Sequence, residues 1–283
     1  MKFVRRHLLT AYAIFAFAYL LVPIAVVIMF SFNDPGGRYN FTWQGFTLDQ
    51  WKNWDGVPAL KDAMILSLEI ALLASVVATV LGTLIALALV RYGFRGRGAT
   101  NLLIFVPMAT PEVVLAAALL TLFLNVTVFT LGFGTILIAH IMFCISYVVV
   151  TVKARLIGFD RSLEEAAKDL GATPFETFRL VTLPLIMPGI FGGAMLAFAL
   201  SIDDFVISNF NSGTTVTFPL YIFGAAQRGI PVEVNVIAMI LFGVTVAAMG
   251  FVTWQQARAE RMASVRPEQE VAPSQALPAG ASA

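Results

Sequence analysis

Four carboxylates lie within stretches of the chain that are otherwise apolar: Glu69, Glu112, Asp203 and Asp204. None of the Lys and Arg residues lies inside those stretches to pair with them. If such stretches cross a bilayer, an ionised carboxylate at the centre costs about 2.5–3.5 kcal/mol, and four would cost roughly 10 kcal/mol. A cost of that size calls for relief by a wet cavity, by protonation, by bonds to neighbouring helices or by a cationic ligand. Glu112 is the best candidate for a ligand-facing acid. It sits near the middle of its run and follows Pro111, and proline removes a backbone hydrogen bond and kinks a helix, which can open a lumen. Asp203 and Asp204 come near the end of a later run. Helix neighbours diverge by about 100°, so both need not face one lumen. Glu69 lies about two turns into its run and is the weaker candidate. Other chemistry is scarce. His140 and Cys144 stand four apart, but two ligands are too few for a metal site, so the pair reads as packing. Cys144 is the only cysteine, which excludes an intramolecular disulfide and a cysteine-rich zinc site. No GxxxxGK[ST] sequence occurs, since Lys2, Lys52, Lys61, Lys153 and Lys168 all lack a preceding glycine. The chain has no Walker A loop to cradle nucleotide phosphates, and no Ser-His-Asp arrangement suggests hydrolysis.

The elements that must position the four acids follow from composition. The 283 residues are 59% hydrophobic and 12% charged, with a mean hydropathy of +0.84. Soluble domains carry about 25% charged residues, so an ordinary soluble enzyme is excluded. A net charge of +1 leaves no strong nucleic-acid footprint. A hydrocarbon core about 30 Å thick needs roughly 20 apolar residues as a helix, and backbone in lipid must satisfy itself. The apolar runs are long and lack period-2 alternation, which selects helices over a barrel. Six spans are read, near 8–31, 63–90, 101–124, 133–153, 186–209 and 234–256, which makes an all-α polytopic membrane protein. Residues 1–62 form an N-terminal span and loop, 63–256 the core with a polar loop at 153–185, and 257–283 a disordered tail rich in Ala, Pro, Ser and Gln. Small residues recur every four positions at Ala74, Ala78, Gly82 and Ala86, as close helix packing requires.

Lys and Arg set the orientation. With the N-terminus inside, the inner segments hold Lys2, Arg5, Arg6, Arg91, Arg95, Arg97, Lys153, Arg155, Arg161, Lys168, Arg179, Arg258, Arg261 and Arg266. The outer segments hold Arg38, Lys52, Lys61 and Arg228. The positive-inside rule therefore places both termini in the cytoplasm. The long outer loop, 32–62, carries Tyr39, Phe41, Trp43, Phe46, Trp51 and Trp54. It reads either as an aromatic belt or as a platform for an external partner, with a short helix starting from a capping box at Thr47 and Gln50.

The polar loop 153–185 is punctuated for two short helices. Ser162 and Glu165 have capping-box spacing, and Gly171 is placed to close the first helix with a left-handed residue. Thr173, Pro174 and Glu176 supply the N-cap, the N1 proline and the N3 glutamate of a second helix running towards Leu183 and Pro184. Two capped helices make a rigid elbow whose small residues, Ala166 and Ala167, another protein could approach closely.

The stretch Glu165-Ala166-Ala167, three residues, Gly171, nine residues, Val181-x-Leu183-Pro184 resembles the EAA motif of ABC-importer permeases, with Val181 in place of the usual Ile. The resemblance continues along nearly the whole chain to the permease subunits of spermidine/putrescine importers, carried by Gly45-Phe46-Thr47-Leu48, Arg91 to Gly96, Pro111-Glu112-Val113, Glu165 to Thr173, Ser201 to Phe205 and Glu233-Val234-Asn235. It implies the type I importer fold and a subunit that is not itself an enzyme. It also implies no cofactor in this chain, with ATP and Mg held by a separate ATPase. The implied partners are a second permease, two ATP-binding subunits, an external substrate-binding protein and the lipid of the bacterial inner membrane. The ATPase-coupling residues would be Glu164, Glu165, Ala166, Ala167, Lys168, Asp169, Gly171 and Ala172. Glu112, Asp203, Asp204 and Glu69 would line the path and attract the ammonium groups of a polyamine. Related permeases move ferric iron, phosphonates or opines, and those solutes remain alternatives. A phosphonate would want arginine in the lumen. An intramembrane enzyme or sensor is the rival from another class.

Overall fold

A computed structural model of the chain describes residues 2–126, 128–158 and 160–264. Its helices are α1 (Lys2–Phe30), α2 (Asp49–Lys52), α3 (Pro58–Arg91), α4 (Arg97–Ala109), α5 (Glu112–Asn125), α6 (Phe133–Ile157), α7 (Ser162–Asp169), α8 (Pro174–Thr177), α9 (Leu183–Ile202), α10 (Val206–Asn211), α11 (Phe218–Arg228) and α12 (Val232–Ser264). No β-strand occurs among the described residues. The helices fall into two compact units, one of residues 33–234 and the other holding α1 with the part of α12 from Asn235 onward.

By length and apolarity, α1 from His7, α3, α6 and the continuous helical stretch Pro174–Ile202 can each cross a bilayer. Helices α4 and α5 make a fifth crossing if the bent pair is one span, and α12 is apolar over the shorter segment Val232–Ala247. The expectation of six uninterrupted spans needs correction at the third and fifth. The third was read as one kinked helix over 101–124. It is instead broken by 108° between α4 and α5. Pro111 forces the residue before it out of the helical region, and Thr110 duly adopts φ −77°, ψ 134° and ends α4. The fifth, read as 186–209, stops at Ile202 and resumes as the short α10 after Asp203, Asp204 and Phe205. Helix α11, between α10 and α12, was not foreseen. The disordered tail proposed for 257–283 falls outside the described residues from position 265, and up to Ser264 the chain is helical.

In the larger unit, α3, α6 and α9 pack against one another as the core, with α4 and α10 on α6, α10 also on α5, and α11 on α3. The four-residue repeat on α3 faces inward, since Ala74, Ala78, Gly82 and Ala86 are all buried. At Gly82 the two helices approach closely: a Cβ there would lie 2.7 Å from Val148 Cγ1 on α6. Helix α3 has 34 residues, roughly 50 Å at 1.5 Å per residue, so it extends well beyond a hydrocarbon core of about 30 Å. One of its ends therefore reaches the polar loop that carries α7.

The loop after α1 is ordered by a buried asparagine. Asn33 Nδ2 donates to Asn40 Oδ1 (2.6 Å) and to the Thr42 carbonyl (2.8 Å), and Asn33 Oδ1 accepts from Gln44 N (2.8 Å). Phe41, Trp43 and Phe46 are left exposed. The box expected at Thr47 and Gln50 does not form. Thr47 Oγ1 accepts from Asp49 N at 3.1 Å instead, which starts α2 two residues later.

Candidate functional site

Two places bring chemistry-bearing residues together. The first lies where the two helix breaks meet. Asp204 is buried, and its carboxylate accepts from the backbone of Ile207 (3.3 Å) and Ser208 (2.8 Å). An aspartate that bonds the amides ahead of it competes with helix continuation and starts a new helix, which is why α9 stops and α10 begins. The same carboxylate meets His140 Nε2 at 3.1 Å. His140 also faces Ser201 Oγ at 2.7 Å through Nδ1 and Ser208 Oγ at 3.1 Å through Nε2. A nitrogen pointing at a carboxylate carries the hydrogen, so Nε2–H donates to Asp204. Helix α6 is thereby latched to the α9–α10 break.

Glu112 opens α5, directly after the break at Pro111. Its carboxyl lies within electrostatic reach of Asp204 and Asp203. Glu112 and Asp203 are exposed, while Asp204 lies behind them. Three of the four acids singled out in the sequence thus converge from two different breaks. Glu69 does not join them; it sits on an exposed face of α3 beside Leu72 and Leu73. The packing reading of His140 needs correction. It is buried, as packing requires, but it is a polar linchpin, whereas its neighbour Cys144 does pack, with Sγ 3.4 Å from the Ala197 carbonyl. The sequence carries a signal for this role: an imidazole within a span, like a carboxylate, needs a polar partner inside the bundle. Among the described residues, no group of three or more His, Cys, Asp or Glu side chains is disposed to hold a metal.

The second place is the elbow. Helix α7 ends at Gly171, whose φ of +88° favours a residue without Cβ. Gly171 N donates to the Lys168 carbonyl (2.9 Å) and Ala172 N to the Ala167 carbonyl (3.0 Å), the two bonds of a Schellman motif. The box at Thr173 forms as spaced: Thr173 N donates to Glu176 Oε2 (2.8 Å) and Glu176 N to Thr173 Oγ1 (3.3 Å). Thr173 Oγ1 donates to the same Glu176 Oε2 at 2.7 Å. The box expected at Ser162 does not form. Asp160 Oδ1 accepts from Ser162 N at 2.9 Å in its place, because an aspartate two residues ahead reaches that amide as an Asx turn. Nor is the second helix separate from the membrane. It runs through a π-helical turn, Phe178–Thr182, into α9. Pro184 has no N–H to offer a carbonyl one turn back, and Leu183 N–H reaches five residues back to the Phe178 carbonyl.

The adjacent glutamates of α7 meet different surroundings. Glu165 is exposed together with Ala166, Lys168 and Asp169, while Ala167 and Ala172 are half-buried. Glu164 is buried, gripped by both terminal nitrogens of Arg91 at the end of α3 and by the Thr182 hydroxyl in the π-turn. Burial pushes the Glu164 carboxyl up, but the bonds from Arg91 and Thr182 outweigh it and hold the group below its ordinary value. Beside the exposed motif residues, Leu163, Leu170, Phe175 and Leu180 expose apolar side chains.

A broken-helix membrane core with a rigid polar elbow defines a transport permease, and comparison with known proteins agrees. Residues 78–261 match the family model described as binding-protein-dependent transport system inner membrane component. The chain belongs to that family. It is 40% identical over 244 residues to the spermidine/putrescine transport system permease protein PotC of Haemophilus influenzae, covering 86% of this chain and 94% of the relative. It is 39% identical over 257 residues to the putrescine transport system permease protein PotI of Escherichia coli, covering 87% and 89%. The fold is shared with a chain of a bacterial ABC transporter involved in import of the polysaccharide alginate, with a TM-score of 0.63 at 17% identity over 90% of this chain and 95% of that one. A chain of an amino acid ABC transporter gives a TM-score of 0.57 at 18% identity over 75% and 100%. The fold class read from the sequence, an all-α polytopic permease of the type I importer kind, is the one found. The chain is a multi-pass inner-membrane component whose family serves transport.

Proposed function

We propose that this chain is one of two permeases of an ATP-driven importer of polyamines such as spermidine and putrescine. The observation that carries the substrate class is the convergence of Glu112, Asp203 and Asp204 at two helix breaks. Carboxylates gathered where backbone leaves the helical ladder suit a lumen that strips water from ammonium groups, and irregular backbone at membrane depth is tolerated where it lines such a cavity. The names borne by the relatives support the same class. The geometry also sorts the acids. Asp204 already serves two backbone amides and His140, so it shapes the site. Glu112 and Asp203 carry the carboxyls free to meet a cation. Glu69, if it contacts solute, does so elsewhere along the path.

The remaining subunits would be a second permease, an external binding protein and two ATP-binding subunits that hold ATP and Mg. Both termini would lie in the cytoplasm. The ends of α3, α4 and α6 that carry Arg91, Arg97, Lys153 and Arg155 gather beside the elbow, and Lys153 Nζ donates to Asn101 Oδ1 at 2.6 Å. That side is the basic one, as a cytoplasmic face should be. The elbow would seat against an ATP-binding subunit through Glu165, Ala166, Ala167, Lys168, Asp169, Gly171 and Ala172, with Glu164 as internal support. ATP binding and hydrolysis on that partner would move the elbow, and the spans would alternate access.

The test uses the full complex in vesicles with labelled putrescine and spermidine, competed with iron chelates and opines. Glu112→Gln and Asp203→Asn should each lower polyamine uptake about tenfold or more, the size of one lost charge-assisted hydrogen bond. Unchanged uptake and unchanged competition in both variants would remove these acids from the path.

A further inference from the structure

The grip of half-buried Arg91 and buried Thr182 on buried Glu164 joins three elements that carry different parts of the permease: the end of span α3, the elbow helix α7 and the π-turn that leads into α9. The Arg91–Glu164 contact is bidentate, a planar fork on a planar carboxylate, which fixes angle as well as distance. A second tie runs parallel to it. Arg161 Nη2 donates to the Val90 carbonyl at 3.1 Å, so two successive residues of α3 hold two points one turn apart, Arg161 just ahead of α7 and Glu164 within it. Stability alone does not account for such an arrangement. A buried ion pair repays its desolvation poorly, and apolar residues of similar volume often hold as well; what a buried pair does best is fix register between elements.

We infer that Arg91 is a positioning residue for energy coupling: through Glu164 and Thr182 it locks the elbow, the inner end of α3 and the start of α9 into one rigid body, so that thrust on the elbow turns both spans together. The inference rests on the reading of α7 as the ATPase-coupling element. It departs from the sequence-based grouping of Glu164 with the docking residues, because Glu164 faces its own chain. A span that lacked this tie could stay still while the elbow moved.

The experiment measures solute transported per ATP hydrolysed in the reconstituted full complex. Arg91→Gln and Glu164→Gln should assemble with the ATP-binding subunits and keep basal hydrolysis, while transport per ATP falls about tenfold or more, within the usual span of coupling energies. Thr182→Val, which removes one of three bonds, should give a smaller fall in the same ratio. Arg91→Lys keeps the charge without the fork and should restore the ratio only in part. The exchanged pair, Arg91→Glu with Glu164→Arg, should recover more of it than either of its component single changes. Normal transport per ATP in Arg91→Gln would overturn the inference while leaving the elbow's role intact. If Arg91→Gln fails to assemble, a normal ratio in Thr182→Val together with no recovery by the exchanged pair overturns it equally. Failure of the wild-type complex to retain ATP-binding subunits at the elbow would sink the underlying reading instead.

Discussion

Glu164 and His140 show how single residues decide what their neighbours can do. Each is a titratable group placed among partners that fix its orientation. For Glu164 the consequence has a definite sign. Its carboxyl is held below the ordinary glutamate value of 4.5, so its ionised form favours the folded elbow. That contribution is complete above the unfolded value, begins to decline as the pH nears 4.5, and is lost as the pH falls through the lower folded value. Hydrogen-exchange protection of the elbow amides, corrected for the intrinsic pH dependence of exchange, should therefore hold at neutral pH and fall as the solution is taken below about 4.5. In Glu164→Gln the protection should be weaker at neutral pH and show no such step; an unchanged step would assign the acid sensitivity to another group. His140 carries the complementary lesson. With Ser201, Ser208 and Asp204 it completes a satisfied polar network, and networks of that kind rigidify and specify a core.

At the scale of elements, the elbow behaves as its capping chemistry dictates. Gly171 adopts a left-handed conformation and no atom lies within 4 Å of where its Cβ would be, so the strain of a substitution there is conformational, not steric. Gly171→Asp should insert and assemble but fray the end of α7 and put a new charge on the docking face, lowering transport per ATP while hydrolysis persists. Normal transport by this variant in vesicles would separate the elbow from coupling. This was the most legible part of the molecule, because caps are local and their residue types specific: the Gly171 closure and the Thr173–Glu176 box stand where their spacing put them. Spans α3 and α6 were also legible within a few residues, since long apolar runs have no other solution in lipid. The break after α4 was only half legible. Pro111 announced a disturbance, but whether a proline bends a helix or divides it depends on what the freed ends pack against. The end of α9 was hidden because Phe205 to Phe210 stay largely apolar after the two aspartates, and hydropathy alone cannot see Asp204 bonding the amides ahead of it. The Arg91–Glu164 grip joins residues 73 positions apart, a distance across which a lone sequence carries no pairing signal.

For the whole molecule, orientation is the property on which the remaining assignments depend. Fourteen of the 18 cationic residues fall on one side when the N-terminus is placed in the cytoplasm. With the buried Cys144 replaced by serine, a cysteine at Leu170, which is 89% exposed, should react with a membrane-impermeant maleimide only from the cytoplasmic side. A cysteine at Phe41, 70% exposed, should react only from outside. The opposite pattern would invert the assembly and move the ATP-binding subunits to the other face.

The back-to-back glutamates of α7 have one more consequence, for how this protein can vary. Adjacent helical positions differ by about 100°, so inserting one residue between Arg161 and Glu164 would turn the Glu164 carboxylate away from Arg91 and bring Leu163 in, whereas deleting one would bring Glu165 in and leave the outer face without it. The grip of Arg91 on Glu164 therefore fixes the reading frame of that short helix. Among lineages that keep this transporter, its length should prove more faithfully inherited than its spelling.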